Sequence, residues 1–201
     1  MKFKVYSNYR CPFAYRAARW LYELKEQGVD IEPDFRFFSL TQNNNKNKEW
    51  YVWEEPQINL HWQSDKRMRG LRAHWAAEAA RAQGANAFKR FHFALFRAIQ
   101  EEHLSLTKGV ATRHAAEVAE LNMADWEAEC DNFAHLERLR EDHQWAVSKR
   151  IFGTPTFVFE GAEPVYVKLS ALLPNEEAQA YWDEIQKMAV ARPLLVEFKR
   201  P

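Results

Sequence analysis

Residues 3–38 constrain the fold of this chain more than any other stretch. Phe3, Val5 and Ser7 alternate with Lys4, Tyr6 and Asn8, the period of a short strand. After Pro12 the period changes. Ala17, Trp20, Leu21 and Leu24 recur at helical spacing, and Gly28 stands where a C′ glycine closes a helix. Pro12 suits the first helical position, because its missing N–H belongs to a group that the helix leaves unpaired anyway. Residues 31–38 (IEPDFRFF) return to strand character. Two strands joined by a helix pair in parallel through a right-handed crossover. The reading is therefore β-α-β, with Cys11 at the N-terminus of the helix.

The remainder changes character twice. Residues 41–50 (TQNNNKNKEW) read as a polar loop, and helical signals run from about 65 to 150. Met68, Leu71, Trp75 and Ala79 share one face. Phe88, Phe91, Leu95 and Ile99 share another after the Gly-Ala-Asn break, and the stretch 106–122 carries a short helix. A longer helix is predicted over 125–149, with Trp126, Cys130, Phe133 and Leu136 spaced for burial. Strand character returns at 156–160, turns through Gly161 and Ala162 into 165–167, and gives way to a last helix over 175–190. That helix has Ala178, Tyr181, Trp182 and Ile185 along one side. The fold class predicted is α/β: β-α-β, a helical insertion, then β-β-α. Residues 1–62 and 148–201 form one discontinuous domain, and residues 63–147 the inserted helical domain.

Composition excludes several function classes. Lys plus Arg (28) equals Asp plus Glu (28), so no nucleic-acid partner or anionic membrane surface is expected. No apolar run approaches the ~18 residues of a membrane span. The stretch MKFKVYSNYR lacks a signal-peptide h-region and reads directly as structure. Two cysteines, Cys11 and Cys130, do not make a disulfide scaffold, and a reducing cytoplasmic location is expected. The seven histidines show no clustered ligand spacing, and no metal site is expected from them. His92, His103 and His114 are evenly spaced but separated by a break near 104–109. No Gly-rich nucleotide motif occurs.

Two motifs carry chemistry. The first is C-P-F-A at 11–14, at the helix start, where unpaired N–H groups and the helix dipole stabilise a thiolate. The second is I-F-G-T-P-T-F at 151–157, which puts Pro155 just ahead of a strand. A cis Thr154–Pro155 bond would present the backbone of Thr154 to a passing peptide or thiol ligand.

These two motifs, in this order and within this alternation of elements, resemble the DsbA-like branch of the thioredoxin superfamily over essentially the whole chain. The resemblance implies a thioredoxin-like fold with a helical insertion, and a groove between the two. It places the nucleophilic cysteine on Cys11 and the cis-proline on Pro155, preceded by Thr154. The sequence departs from the family at Ala14, where the resolving cysteine of C-x-x-C would stand. Cys130 sits among apolar helical neighbours and is not expected to replace it. Kappa-class glutathione transferases and 2-hydroxychromene-2-carboxylate isomerases are similar in architecture and also lack C-x-x-C. They carry serine at the position of Cys11 and W-G-x-D-R-L where this chain reads YVKLSALLP. By likeness to that branch, Asn43 and Asn44 approach the site.

The reading that follows is a monothiol thiol-disulfide oxidoreductase. Cys11 is the nucleophile, while Pro12, Phe13, Ala14, Thr154 and Pro155 line the thiol- or disulfide-binding site. No resident cofactor is expected. Glutathione or an equivalent low-molecular-weight thiol is the co-substrate that releases the mixed disulfide, and the protein is a monomer or homodimer. A kappa-type transferase or isomerase and a non-catalytic thioredoxin-fold adaptor are the alternatives. Phe13 and Tyr15 are expected to stand partly exposed beside the thiol.

Overall fold

The computed structural model describes residues 1–47, 49–192 and 194; the remainder of the predicted 148–201 segment and Lys48 of the predicted loop lie outside the described residues. The elements run β1 (Lys2–Ser7), α1 (Pro12–Glu26), β2 (Glu32–Phe37), α2 (Leu40–Asn43), α3 (Glu55–Ile58), α4 (Arg69–Ala82) and α5 (Ala85–Gln100). They continue with α6 (Val110–Val118), α7 (Met123–Glu129), α8 (Ala134–Ser148), β3 (Thr156–Phe159), β4 (Val165–Tyr166) and α9 (Ala178–Ala191). The four strands form one sheet in the order β2-β1-β3-β4. β1 runs parallel to β2 and antiparallel to β3, and β3 runs antiparallel to β4. The mixed α/β order predicted from the alternation of periods is the one observed, in the thioredoxin-like arrangement that the resemblance implies.

Helix α1 buries Ala14, Ala17, Ala18, Leu21 and Leu24 on one stripe against the sheet. Its C-terminus is closed by Gly28 at φ +85°, with the Gly28 N–H on the carbonyl of Lys25 and the Val29 N–H on that of Leu24. This pair of bonds is a Schellman closure, which needs the left-handed backbone that glycine adopts freely. A Cβ added there would meet nothing within 4 Å. Gly28→Ala therefore meets the backbone penalty alone. We expect a loss of ~1–2 kcal/mol and a fall in Tm of a few degrees by circular dichroism. An unchanged Tm would contradict the closure.

On the same side of the sheet Phe3, Phe157, Phe159, Trp20 and Trp182 pack ring against ring, with Phe3 and Trp182 centroids 5.1 Å apart. The Trp20 Nε1–H donates to the carbonyl of Ala178 at 2.9 Å, which pins α9 onto α1.

Three expectations are corrected. The helix predicted over 125–149 is two helices, α7 and α8, parted at 130–133. There the Asn132 side chain accepts from the Ala134 N–H (3.0 Å) and donates to Glu129 (2.9 Å), so a local polar turn displaces the helical ladder. Phe133 is in consequence half exposed, with its ring edge on Trp75. The stretch 41–50 is not wholly loop. Ser39, just ahead of it, caps α2 by accepting from the Gln42 N–H at 3.0 Å. Tyr181, placed on the packing side of the last helix, is exposed; Ala178 and Trp182 carry the burial.

Candidate active site

The site is assembled by strand register. Antiparallel pairing of β1 with β3 sets Tyr6 opposite Thr156, so the segment before β3 lies beside the segment after β1. Cys11 and Thr154, far apart in the chain, meet there. The Cys11 Sγ–H donates to the carbonyl oxygen of Thr154 at 3.3 Å. The Thr154–Pro155 peptide bond is cis. Pairing of β3 with β4 puts Tyr166 opposite Thr156, and the Val167 N–H donates to the carbonyl of Pro155 at 3.2 Å. The turn that carries Pro155 is thus held on both sides.

The loop that delivers Cys11 is fixed by Asn8. Its Oδ1 accepts from the Arg10 N–H (3.0 Å), its Nδ2 donates to the Phe38 carbonyl (2.9 Å), and its carbonyl accepts from the Cys11 N–H (2.9 Å). An Asx turn of this kind needs a side-chain amide or carboxylate two residues ahead of the N–H it captures. Tyr9 points the other way, into the core, where its hydroxyl meets His92 Nδ1 at 2.7 Å. Gln100 Nε2 donates to the Tyr9 carbonyl at 2.9 Å.

Cys11 is the N-cap of α1, with extended backbone (φ −93°, ψ 116°) and no capping bond from its side chain. Pro12 contributes no N–H, and the N–H groups of Phe13 and Ala14 precede the first helical ladder bond. The dipole and these donors favour negative charge at the cap, and the first turn holds no acidic residue. Cys11 is only 8% exposed. Its sulfur is largely shielded from water, and its side-chain partner is the Thr154 carbonyl.

The predicted residues take distinct places. Pro12 is exposed, Phe13 half-buried, and Ala14 is in the core at 1% exposure. Thr154 and Pro155 are buried, and the Thr154 hydroxyl finds no partner. Tyr15 is not beside the thiol. It is buried, its hydroxyl donates to Glu101, and its ring lies against Phe96, because its position on α1 turns it toward α5. Asn43 reaches the same corner by donating to the Phe152 carbonyl at 3.3 Å. Asn44 lines a polar cleft of about 470 Å³ beside the cysteine loop, together with Asn8, Arg10, Thr41, Trp50 and Arg67. A larger cavity of about 630 Å³, which Tyr22, Phe88, His92 and Phe93 help to line, includes none of the predicted site residues. Cys130 follows α7, where burial and then the Asp131 charge push its thiol up to about 12. Among the described residues no group of three or more His, Cys, Asp or Glu side chains could hold a metal ion, and no helix is long and apolar enough to cross a membrane.

Sequence reading missed four side chains of the site. Tyr166 closes on Gly153, where an added Cβ would stand 3.2 Å from its ring, and Phe152 packs edge-on against it at 4.9 Å. Burial, then the Cys11 charge, push the Tyr166 hydroxyl up. Lys168 Nζ stands 4.4 Å from the Phe13 ring centroid and 6.0 Å from that of Tyr166. Arg16 lies 5.3 Å from Phe13 and donates to the Leu169 carbonyl at 2.9 Å. The signal for Tyr166 and Lys168 was present in YVKLSALLP, which differs visibly from its counterpart in similar proteins, but only the register of β4 places Tyr166 opposite Thr156.

A β-α-β unit with a cysteine at its first helix, facing a cis-proline loop that leads into a β-β-α unit, defines a thioredoxin-like protein with a helical insertion. The chain belongs to the DSBA-like thioredoxin domain family, which matches residues 2–186. Among curated proteins none matches in sequence. Solved structures share the fold at low identity. A 2-hydroxychromene-2-carboxylate isomerase superposes with a TM-score of 0.62 at 15% identity, over 94% of this chain and 96% of that one. The cytosolic disulfide reductase DsbM of Pseudomonas aeruginosa, solved also with GSH, gives 0.60 at 14% identity over 94% and 100%. DsbA2 of the same organism gives 0.55 at 19% over 92% and 87%.

Proposed function

We propose that this protein is a cytoplasmic thiol-disulfide oxidoreductase that works through one cysteine, Cys11, with a low-molecular-weight thiol such as glutathione as co-substrate. The observation that carries the reading is the contact of the Cys11 sulfur with the Thr154 carbonyl, at a helix N-terminus whose other first-turn side chains include no thiol. Cys11 as thiolate attacks a disulfide RS–SR′, forming Cys11–S–S–R and releasing R′S⁻. Ala14 offers nothing to resolve that mixed disulfide, and burial keeps Cys130 protonated. An external thiolate therefore attacks the sulfur of R, restores the Cys11 thiolate and leaves as the new disulfide. The backbone around Pro155 aligns the substrate by main-chain hydrogen bonds. The cytosolic DsbM, solved with GSH, is a fold neighbour consistent with this reading.

The test is mass spectrometry of the protein after treatment with oxidised glutathione. One glutathione on Cys11, none on Cys130, and release by excess reduced glutathione is the expected result. Modification of Cys130 alone, or no adduct, defeats the reading. Turnover of an electrophile with glutathione and no disulfide exchange would transfer the site to transferase or isomerase chemistry.

A further inference from the structure

Three cations flank the C-P-F-A segment. Arg10 precedes Cys11 and lines the polar cleft. Lys168 covers the Phe13 ring on the β4 side, and Arg16 lies next to the same ring. Among the described residues none of the three is ion-paired with a carboxylate. Arg67, Arg97 and Arg113, by contrast, pair with Asp65, Glu101 and Glu127. The chain's formal charge is zero, so the trio does not reflect a basic protein. Lys168 is also held in place. Its ammonium lies on one aromatic face and near a second, while Arg16 ties the following residue through the Leu169 carbonyl.

We infer that the site selects thiols and disulfides carrying a carboxylate close to the reacting sulfur, with Lys168 and Arg10 as the specificity-determining residues. The inference rests on the disulfide exchange proposed above. A carboxylate on the group bound to the attacked sulfur meets Lys168 or Arg10 in the mixed disulfide, whereas an ammonium is repelled. The chemistry is unchanged: the Cys11 thiolate forms one S–S bond, the substrate S–S bond breaks, and the leaving thiolate departs with the electron pair. At the few ångströms separating such groups near a protein surface, reversing one charge alters the rate about tenfold.

Three small symmetrical disulfides of similar size separate the possibilities: 3,3′-dithiodipropionate (anionic), bis(2-hydroxyethyl) disulfide (neutral) and cystamine (cationic). The rate of adduct formation at Cys11 is followed by mass spectrometry, each divided by the rate of the same reagent with a free small thiol. The normalised rates should fall from anionic to neutral to cationic, and the spread should shrink at high salt. Lys168→Glu should lower the anionic-to-cationic ratio about tenfold, Arg10→Glu should lower it also, and Lys168→Arg should keep it. A wild-type ratio at or below one, or a ratio that Lys168→Glu leaves unchanged, overturns the inference. If the neutral reagent labels Cys11 readily while the ratio is flat, only this selection fails. If no reagent labels Cys11, the exchange reading itself fails.

Discussion

Ala14→Cys is expected to form an internal disulfide between Cys11 and the thiol introduced at position 14, and to reduce insulin with dithiothreitol, as a dithiol version of the proposed monothiol enzyme would. Cys11 is the N-cap and position 14 the third helical residue, the pair whose side chain and backbone meet in a capping box. Residues three apart on a helix lie ~5–6 Å from each other, inside the Cα range a disulfide spans. Ala14 is 1% exposed, so the added sulfur enters a packed site at a cost of ~1–3 kcal/mol. Thiol counting after oxidation should show both thiols of positions 11 and 14 lost together in the variant. In the wild type, the mixed disulfide on Cys11 should persist until an external thiol is added. Cys11→Ser in either background should abolish exchange. A folded Ala14→Cys protein that retains two free thiols at these positions under oxidising conditions would falsify the placement of the two residues.

The second large effect is loss of stability in mild acid. His74, His92 and His143 are all buried. Burial pushes His74 down to about 3 and His143 to about 4; His92 is lowered as well, by burial first and then by Arg81. Their surroundings agree. His74 lies between the rings of Tyr9 and Phe37. His143 Nδ1 accepts from the Ser39 N–H at 3.1 Å, a bond that a proton on that nitrogen destroys. The unfolded chain takes up these three protons near pH 6.5, and the folded chain only at lower pH. Between about 6.5 and 4 the unfolded state therefore binds more protons, and stability falls as pH falls. His143 alone accounts for up to ~3 kcal/mol over that window, at 1.36 kcal/mol per pH unit of displacement. Asp142 acts in the opposite sense: burial raises its carboxyl against the pull of Arg36, so the folded state accepts its proton early and offsets part of the loss. Thermal melts from pH 7.5 to 4.5 should show Tm dropping by more than about 10 °C, and His143→Gln should make that slope shallower. A flat Tm across the window would contradict the burial of neutral imidazoles.

Much of this was readable from the chain alone, for a local reason. Strand alternation, helical spacing, Pro12 at a helix start and Gly28 at its end are properties of neighbouring residues, and tertiary packing amplified each of them. The same holds for the chemistry of Cys11, since a thiol at a helix N-terminus needs only the residues after it, and for Pro155, whose place ahead of a strand is local. The turn at 130–133 was equally local but was outweighed in the reading by the apolar spacing of Trp126, Cys130 and Phe133, although Asn132 could bond its own backbone.

Tertiary structure decided the rest. That Cys11 faces Thr154 follows from the register of β1 against β3, and that Tyr166 stands opposite Thr156 follows from β3 against β4. A one-residue slip in either pairing would turn those side chains to the opposite face. Tyr15, one helical turn beyond the thiol, went to α5 because Glu101 and Phe96 received it there. The sequence by itself determined which residue could be the nucleophile and that no second thiol stands beside it. Only the packed structure determined that Lys168 lies over Phe13 of the C-P-F-A segment, because electrostatic neighbours are set by distance in space and not by separation along the chain.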